Sequence, residues 1–272
     1  MEAKILFLDL DGTLLNDKKE LTDGNRTAIE RAIAAGHHAV IASGRPLKSV
    51  QAQAARFGLD GPGCYAIAYN GAVIYDFTKR EQIFRQTLAP ADLYAVFDEA
   101  RRRGVYIHTY DHEDVVIEPR CDPEIARRYC ARLNFDFRVI EDVRKDLTEM
   151  PVKAMSIDFG GQEKTEAFRQ WICAEMRGRL DSYFSERYFL EIMSAGMNKG
   201  RGITSLCEIL GIPLERSIAA GDEANDVDML RAAGVGVAMA NAIPDAKAAA
   251  DYITQRDNNH DGVAEIIEKF ML

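Results

Sequence analysis

The chain has little proline, few cysteines and no excess of basic residues. Its 272 residues include 8 prolines and 20 glycines, too few for a collagen-like or low-complexity protein. The formal net charge of −9 argues against a surface that tracks a phosphate backbone, so neither nucleic acid nor an anionic membrane is an expected partner. With a hydrophobic fraction of 47%, the sequence instead favours a globular protein with a large buried core.

Cysteine usage and the first apolar run indicate the compartment. The 5 cysteines are odd in number, widely spaced and without a CxxC pair, which argues against a disulfide framework or a zinc knuckle. A reducing, cytoplasmic location is therefore expected. The run from Ile5 to Leu8 is interrupted at Asp9, too early for a signal sequence or a membrane span. Nothing in the sequence indicates an oligomeric state.

Short apolar runs alternate with helix-periodic stretches at both ends of the chain. This alternation predicts strand-helix-strand units on a parallel sheet. The middle of the chain differs, because it predicts helices mixed with paired strands. We therefore predict an α/β fold with a Rossmann-like parallel-sheet core formed by residues 1–83 and 194–272, and an inserted α+β cap domain at residues 84–193.

The most informative segment, Asp9-Leu10-Asp11-Gly12-Thr13, follows a predicted strand. Its two carboxylates lie on one side of the chain, about 6 to 7 Å apart between Cα atoms. They also lie at the carboxyl edge of the sheet, where parallel sheets bind ligands. Gly12 permits a sharp turn, and Thr13 is expected to hydrogen-bond locally within it. Since close carboxylates repel, we expect a divalent cation, and oxygen ligands favour Mg²⁺.

Three further polar segments fall after predicted strands or at helix starts. Ser43, Gly44 and Arg45 combine a hydroxyl, an accessible backbone N–H and a helix N-terminus, which suits an anion. Lys199 opens a later helix and supplies a positive charge for a phosphoryl oxygen or for crowded carboxylates. Each has a plainer interpretation by itself: a serine helix cap for the first and a solvated side chain for the second.

The last segment runs from Gly221 to Asp228 and is strongly acidic. Asp222 is placed to bind a metal, and Asn225 can donate an amide hydrogen bond to a phosphate oxygen. An acidic helix start stabilised by the helix dipole is the plainer interpretation. Because all four segments fall at one predicted edge of the sheet, a shared site is the better interpretation of the set.

In order and context, these segments resemble the four motifs of the haloacid dehalogenase-like (HAD) superfamily. The matching residues are Asp9-x-Asp11-Gly12-Thr13, Ser43-Gly44-Arg45, Lys199-Gly200 and Gly221-Asp222-x-x-Asn225-Asp226. Further segments, including Tyr69-Asn70-Gly71-Ala72 and Asp261-Gly262-Val263-Ala264, are similar to the Cof-type subfamily with a large α/β cap, and most of all to its YidA-type sugar-phosphate phosphatases. The resemblance covers the core strongly and the cap in element order alone. It departs at Ser43, where relatives often carry Thr, and at Asn198, where Ser is common.

The resemblance implies a Mg²⁺-dependent phosphatase acting on small phosphorylated metabolites, with sugar phosphates favoured, through an aspartyl-phosphate intermediate. Asp9 is the implied nucleophile and Asp11 the implied general acid and base. The implied Mg²⁺ ligands are Asp9, the main-chain carbonyl of Asp11, and Asp222. The implied phosphate-binding groups are Ser43, the backbone of Leu10 and Gly44, Lys199, and Asn225. Asp226, Arg45 and Asn70 are implied in supporting roles.

Two alternatives and the choice of substrate stay open on the residues alone. A phosphomutase-like enzyme would pass the phosphoryl group to another sugar hydroxyl instead of water. A receiver-type signalling domain would carry its acceptor Asp after the third strand, where this chain has Tyr69-Asn70-Gly71, so that alternative is disfavoured. Polar cap residues that could select the substrate are each expected to lie at the solvated surface. They are Tyr106, His108, Arg120, Lys153 and Arg187.

Overall fold

The computed structural model describes residues 2–112, 114–133 and 135–272. The chain divides into two compact units. One unit combines the chain up to Arg85 with Asn198–Leu272, and the other is Gln86–Met197. Across the described residues, every helix is too short or too polar to cross a bilayer.

Strands and helices alternate through most of the chain. The strands are β1 (Ile5–Leu8), β2 (His38–Ala42), β3 (Cys64–Ala68), β4 (Val73–Asp76), β5 (Glu81–Arg85), β6 (Ile107–Asp111), β7 (Asp114–Ile117), β8 (Phe137–Val139), β9 (Lys153–Ile157), β10 (Leu180–Glu186), β11 (Phe189–Ser194), β12 (Ser217–Gly221), β13 (Val235–Ala238) and β14 (Tyr252–Ile253). The helices are α1 (Asp23–Ala34), α2 (Leu47–Phe57), α3 (Pro90–Arg103), α4 (Pro123–Leu133), α5 (Glu163–Glu175), α6 (Lys199–Leu210), α7 (Val227–Ala232), α8 (Pro244–Ala249) and α9 (Gly262–Phe270).

The first unit is built on an eight-stranded sheet in the order β14-β13-β12-β1-β2-β3-β4-β5. The strands from β14 to β3 pair in parallel. β1 lies among them, and its four residues are apolar and buried. A strand covered on both faces needs such an unbroken apolar run, which explains the sequence Ile-Leu-Phe-Leu. The fold class predicted from the sequence, a parallel-sheet α/β core, is confirmed.

Local differences from the sequence-based prediction appear beside this sheet. β4 and β5 form an antiparallel hairpin that extends the sheet beyond β3 and that was not predicted. α2 begins at Leu47, because Pro46 has a ψ of 150° and is extended. Pro46 therefore caps the helix and leaves the preceding Ser43-Gly44-Arg45 segment as a loop.

The second unit has a six-stranded sheet in the order β10-β11-β9-β6-β7-β8. One face packs against α3 and α5 through a cluster that includes Phe97 and Phe168. The other face packs against α4, where Tyr129 contacts Phe189 edge-on with ring centroids 5.6 Å apart. Both faces of this sheet therefore bury apolar side chains.

The surface location expected for the polar residues of this unit is wrong for three of them. Tyr106, His108 and Lys153 are 8%, 0% and 1% exposed. They are buried because each has a polar partner: the Tyr106 hydroxyl lies 3.0 Å from His108 Nδ1, and Lys153 Nζ donates to Glu191 Oε2 at 3.2 Å. Burial lowers the pKa of His108 to about 3, so its imidazole is neutral.

We expect Gly71→Ala to destabilise the first unit, because Gly71 has a φ of 101° and approaches another backbone segment closely. A Cβ there would lie 2.2 Å from the carbonyl oxygen of Asn198, which precedes α6. The free energy of unfolding measured in urea should fall by about 1 to 3 kcal/mol. The control is Gly61→Ala, where an added Cβ would meet nothing within 4 Å. Equal values for the two variants would contradict this expectation.

Candidate active site

Three neighbouring strands deliver polar side chains to one edge of the first unit's sheet. β1 pairs in parallel with β2 on one side and β12 on the other. Asp9, Ser43 and Asp222 follow these strands directly. Since parallel strands end at the same edge, the three residues lie where such sheets bind ligands.

Lys199 lies at the centre of the charged side chains. Its Nζ donates to Asp9 Oδ1 at 2.5 Å and to Asp226 Oδ1 at 2.6 Å, and the lysine is fully buried. Asn198 caps the helix, because its side chain accepts from the backbone N–H of Arg201 at 2.8 Å. The start of α6 thereby places the ammonium between two carboxylates.

Burial and pairing shift the pKa values of this cluster. Burial is the largest effect on Asp9 and raises its pKa to about 6, although the charge of Lys199 opposes it. Burial alone would lower the pKa of Lys199, but the carboxylates of Asp9 and Asp226 raise it above its usual value. At neutral pH the lysine is therefore positively charged and Asp9 is mostly ionised.

Asp222 is held by two contacts with the loop that follows β1. Thr13 Oγ1 donates to Asp222 Oδ1 at 2.7 Å, so Thr13 bonds across the sheet edge and not locally as predicted. A Cβ at Gly12 would lie 2.2 Å from Asp222 Oδ2, and Gly12 has a φ of 84°, so glycine is required on both counts. The pKa of Asp222 is raised to about 7, and burial is the largest cause of this shift.

Asp226 orients its neighbours with both carboxylate oxygens. Oδ1 accepts from Lys199, and Oδ2 accepts the backbone N–H groups of Asp222 at 2.9 Å and Glu223 at 3.0 Å. Asp226 is fully buried. It therefore fixes both the lysine and the loop that carries Asp222.

The carboxylates form a cluster suited to a cation. One oxygen from each of Asp9, Asp222 and Asp226 lies within 4.8 Å of the others. Hard carboxylate oxygens suit Mg²⁺, and burial, together with the smaller effect of the neighbouring carboxylates, raises the pKa values of Asp9 and Asp222. These residues fit a divalent metal, although the side-chain cluster includes Asp226 and not Asp11.

Asp11 is held by two cations instead. Arg45 Nη2 donates to Asp11 Oδ2 at 2.5 Å, and Lys19 Nζ donates to Asp11 Oδ1 at 2.7 Å. Burial alone would raise the pKa of Asp11, but the hydrogen bond from Lys19 and the charge of Arg45 lower it below its usual value. Lys19 was not identified from the sequence as a partner of Asp11. Lys19 lies in a turn and has a φ of 60°, and no sequence motif indicates this conformation.

The loop after β2 is tied to the loop after β3. The backbone N–H of Asn70 donates to the carbonyl of Ser43 at 3.1 Å, and that of Tyr69 donates to the carbonyl of Arg45 at 3.0 Å. A Cβ at Gly44 would lie 2.9 Å from Asn70 Oδ1, so the two loops are in close contact. Asn70 therefore supports the loop that carries the Ser43 hydroxyl.

The other two predicted phosphate-binding residues differ in exposure. The Leu10 side chain is buried, which leaves its backbone as the group that can serve a ligand. Asn225 is exposed in the single turn Ala224–Asp226 before α7.

The described contacts of the site form two networks. One joins Asp9, Lys199, Asp226, Asp222 and Thr13, and the other joins Asp11, Arg45 and Lys19.

Comparison with known proteins identifies the family of the chain. A family model of haloacid dehalogenase-like hydrolases matches residues 6–267. The "Putative phosphatase YxeH" of Bacillus subtilis is 34% identical over 271 residues, 99% of this chain and 98% of YxeH. YcsE of the same organism, a 5-amino-6-(5-phospho-D-ribitylamino)uracil phosphatase, is 30% identical over 275 residues, 100% of this chain and 97% of YcsE. A crystal structure of a haloacid dehalogenase-like hydrolase from Bacteroides thetaiotaomicron has a TM-score of 0.85 at 33% identity, covering 98% of this chain and 99% of that chain.

A parallel-sheet core with an inserted second unit, and with paired aspartates at the end of β1, defines a haloacid dehalogenase-like hydrolase, and the chain belongs to this family. Within the family it is a phosphatase. Hydrolases of this family generally use a divalent metal, which agrees with the acidic cluster. The family predicted from the four motifs is confirmed.

We expect Lys199→Met to destabilise the protein, because it leaves the carboxylates of Asp9 and Asp226 buried without their cation. Breaking a buried ion pair costs about 3 to 5 kcal/mol, and we expect a loss of that size in the free energy of unfolding in EDTA. The exposed Lys164→Met on α5 is the control. A Lys199→Met protein as stable as the control would contradict the buried ion pairs.

Proposed function

We propose that the protein is a Mg²⁺-dependent phosphatase that hydrolyses small phosphorylated metabolites, with sugar or sugar-alcohol phosphates as the preferred class, through an aspartyl phosphate on Asp9. The observation that carries the proposal is the pairing of a buried Asp9 with Lys199 inside a cluster of three carboxylates. This arrangement combines a carboxylate nucleophile with positive charge at the edge of the sheet.

In the first step, a carboxylate oxygen of Asp9 forms a bond to phosphorus while the bond between phosphorus and the ester oxygen breaks. Lys199 holds Oδ1 of Asp9 at 2.5 Å and so fixes the direction of the attacking carboxylate. The leaving alcohol takes its proton from Asp11. Ser43, the backbone N–H groups of Leu10 and Gly44, and Asn225 are the proposed donors to the phosphoryl oxygens.

In the second step, water attacks the aspartyl phosphate, and inorganic phosphate and the free Asp9 carboxylate are released. Asp11 takes the proton of this water as a general base. Its ion pairs with Arg45 and Lys19 favour the ionised form that a base requires. When a substrate phosphoryl group draws Arg45 away, the pKa of Asp11 rises, and the carboxyl can carry the proton needed in the first step.

The proposed metal ligands are the side chains of Asp9 and Asp222 and the main-chain carbonyl of Asp11. When bound there, Mg²⁺ supplies positive charge that offsets the repulsion between the phosphate dianion and the carboxylate. Asp226 serves this site indirectly, because both of its oxygens already accept hydrogen bonds from Lys199 and from the loop of Asp222. Thr13 completes the support by donating to Asp222.

The substrate class is supported by the relatives. YcsE is named as a phosphatase of 5-amino-6-(5-phospho-D-ribitylamino)uracil, a compound whose phosphorylated ribityl group derives from a sugar alcohol. We propose that this chain acts on a related phosphomonoester and that residues 84–193 select its leaving group. A screen of phosphorylated sugars and sugar alcohols for phosphate release tests this proposal. Turnover that requires a sugar bisphosphate and releases no net phosphate would instead indicate a phosphomutase.

We expect Asp9→Asn to abolish turnover, because the amide is a much weaker nucleophile than the carboxylate. On p-nitrophenyl phosphate, kcat should fall by about 10³-fold or more, while the circular dichroism spectrum is retained. Mass spectrometry after an acid quench should detect a phosphate adduct on the wild type and none on this variant. The control is Asp60→Asn at an exposed position of the same unit. Wild-type turnover by Asp9→Asn would exclude the proposed nucleophile.

We expect Mg²⁺ affinity to increase with pH, because bound protons compete with the metal at Asp9 and Asp222, whose pKa values are raised to about 6 and about 7. For an acid with a raised folded-state pKa, the bound proton stabilises the folded protein at low pH, and this contribution is lost as the pH rises through that pKa. The metal-free protein should therefore lose stability from about pH 4, near the ordinary aspartate pKa, to about pH 7, and Mg²⁺ should restore it. Urea unfolding in EDTA and in Mg²⁺ measures both effects. In Asp222→Asn the pH dependence should shrink, and an unchanged dependence would contradict this assignment.

A further inference from the structure

Two asparagines near the C-terminus hold the loop that follows the proposed nucleophile. Asn241 Nδ2 donates to the carbonyl oxygen of Gly12 at 2.8 Å, from 229 residues away in the sequence. Asn258 Nδ2 donates to the carbonyl oxygen of Leu15 at 3.1 Å, across 243 residues. The loop that starts at Asp11 is therefore bonded to a distant part of the same unit.

The two asparagines are joined to each other. The backbone N–H of Asn258 donates to Asn241 Oδ1 at 3.1 Å. An amide whose oxygen accepts a bond must turn its nitrogen the other way, so this contact directs Asn241 Nδ2 towards Gly12. Asn258 is 2% exposed, whereas Asn241 lies at the surface, so the buried residue orients the exposed one.

The loop is also bonded on its inner and outer sides. Towards β1, the backbone N–H of Leu14 donates to the carbonyl of Asp9 at 3.1 Å. At its outer end, Asp17 Oδ1 accepts from Asn258 Nδ2 at 3.1 Å, and the backbone N–H of Asp17 donates to Asn259 Oδ1 at 3.1 Å. The asparagines thus hold the outer side of the loop, which faces away from β1.

Gly12 makes this support necessary. Its φ of 84° lies in the region that glycine enters freely, and without a side chain its peptide groups can rotate more easily than those of other residues. Asp11 immediately precedes Gly12, so the direction of the Asp11 side chain depends on the backbone conformation at Gly12. The hydrogen bond from Asn241 to the Gly12 carbonyl holds the peptide group that joins Gly12 to Thr13, and so fixes Gly12 from the side away from Asp11.

We propose that Asn241 and Asn258 are positioning residues for Asp11. This inference rests on the proposed function, in which Asp11 gives a proton to the leaving group. A general acid contributes about 10² to 10⁴-fold to the rate, and a misplacement of about 1 Å can cost about 10²-fold. Loss of either asparagine therefore slows the first step, which kcat/KM reports, for leaving groups that need a proton and spares it for those that do not.

Two aryl phosphates of similar shape test this distinction. The phenolate of phenyl phosphate needs protonation far more than the nitrophenolate of p-nitrophenyl phosphate. For Asn241→Ala and Asn258→Ala we expect kcat/KM on phenyl phosphate, which reports on the first step alone, to fall by about 10 to 100-fold. On p-nitrophenyl phosphate the fall in kcat/KM should be at least about 5-fold smaller. The double variant should lose little more than either single variant, because the two residues act in one chain of hydrogen bonds.

Matched variants separate this role from simple destabilisation. Asp11→Asn removes the proposed acid, so its loss of activity on each of the two substrates gives the reference pattern for the asparagine variants. Gln255→Ala removes an exposed amide side chain whose residue makes its described hydrogen bonds through the backbone, and it should leave both rates unchanged. A variant that merely unfolds in part would lower both rates by the same factor.

The outcomes distinguish the two proposals. The positioning role is wrong, and the proposed function stands, if the activity lost in Asp11→Asn depends on the leaving group but the activity lost in the asparagine variants does not. The same conclusion holds if the asparagine variants lose no activity. If the wild type turns over neither substrate in Mg²⁺, or if Asp9→Asn remains active, the proposed function fails and this inference fails with it.

Discussion

The site depends on one buried ammonium. Asp9, Asp222 and Asp226 bring three carboxylates within 4.8 Å of one another at the edge of a sheet whose strands are buried, and their mutual repulsion opposes folding. Lys199 lies between two of them at 2.5 and 2.6 Å and has no exposure to solvent. A single positive charge cannot balance three negative charges, so the folded site retains an attraction for one more cation. The same imbalance that strains the metal-free protein therefore provides the affinity for a divalent metal.

Several residues at this edge hold other side chains and backbone groups in place. Asp226 uses one oxygen for Lys199 and the other for the backbone of Asp222 and Glu223, so it links α6 to the loop after β12. Thr13 links that loop to the turn after β1. Such contacts matter because groups that transfer a phosphoryl group must be held in place before the reaction, when water would otherwise reorganise around them. The preorganisation thus extends over α6, β1 and β12 together.

Much of the site could be predicted from the sequence because its residues follow strands directly. Asp9, Ser43 and Asp222 each come immediately after an apolar run, and the rule that parallel strands end at one edge places them together. The supporting contacts could not be predicted, since the bond from Thr13 to Asp222 spans 209 residues. In the second unit, burial of His108 and Lys153 escaped prediction for a related reason: a polar residue is buried when a partner satisfies it, and Glu191 lies 38 residues from Lys153.

Asp9 and Asp11 lie two residues apart, yet their surroundings move their pKa values in opposite directions. Burial raises that of Asp9 to about 6, whereas Lys19 and Arg45 outweigh burial and lower that of Asp11. Such divergence separates the roles of two identical side chains, because the carboxyl with the raised pKa is the stronger nucleophile once ionised. The partly exposed Asp11 keeps contact with solvent and with Arg45 and Lys19, so its protonation can change when these contacts change. The pKa of the buried Asp9 is set chiefly by burial, which the charge of Lys199 opposes. A substrate that brings its own negative charge to Arg45 would therefore alter the proton affinity of Asp11, the proposed acid, without displacing the contact between Lys199 and Asp9, the proposed nucleophile.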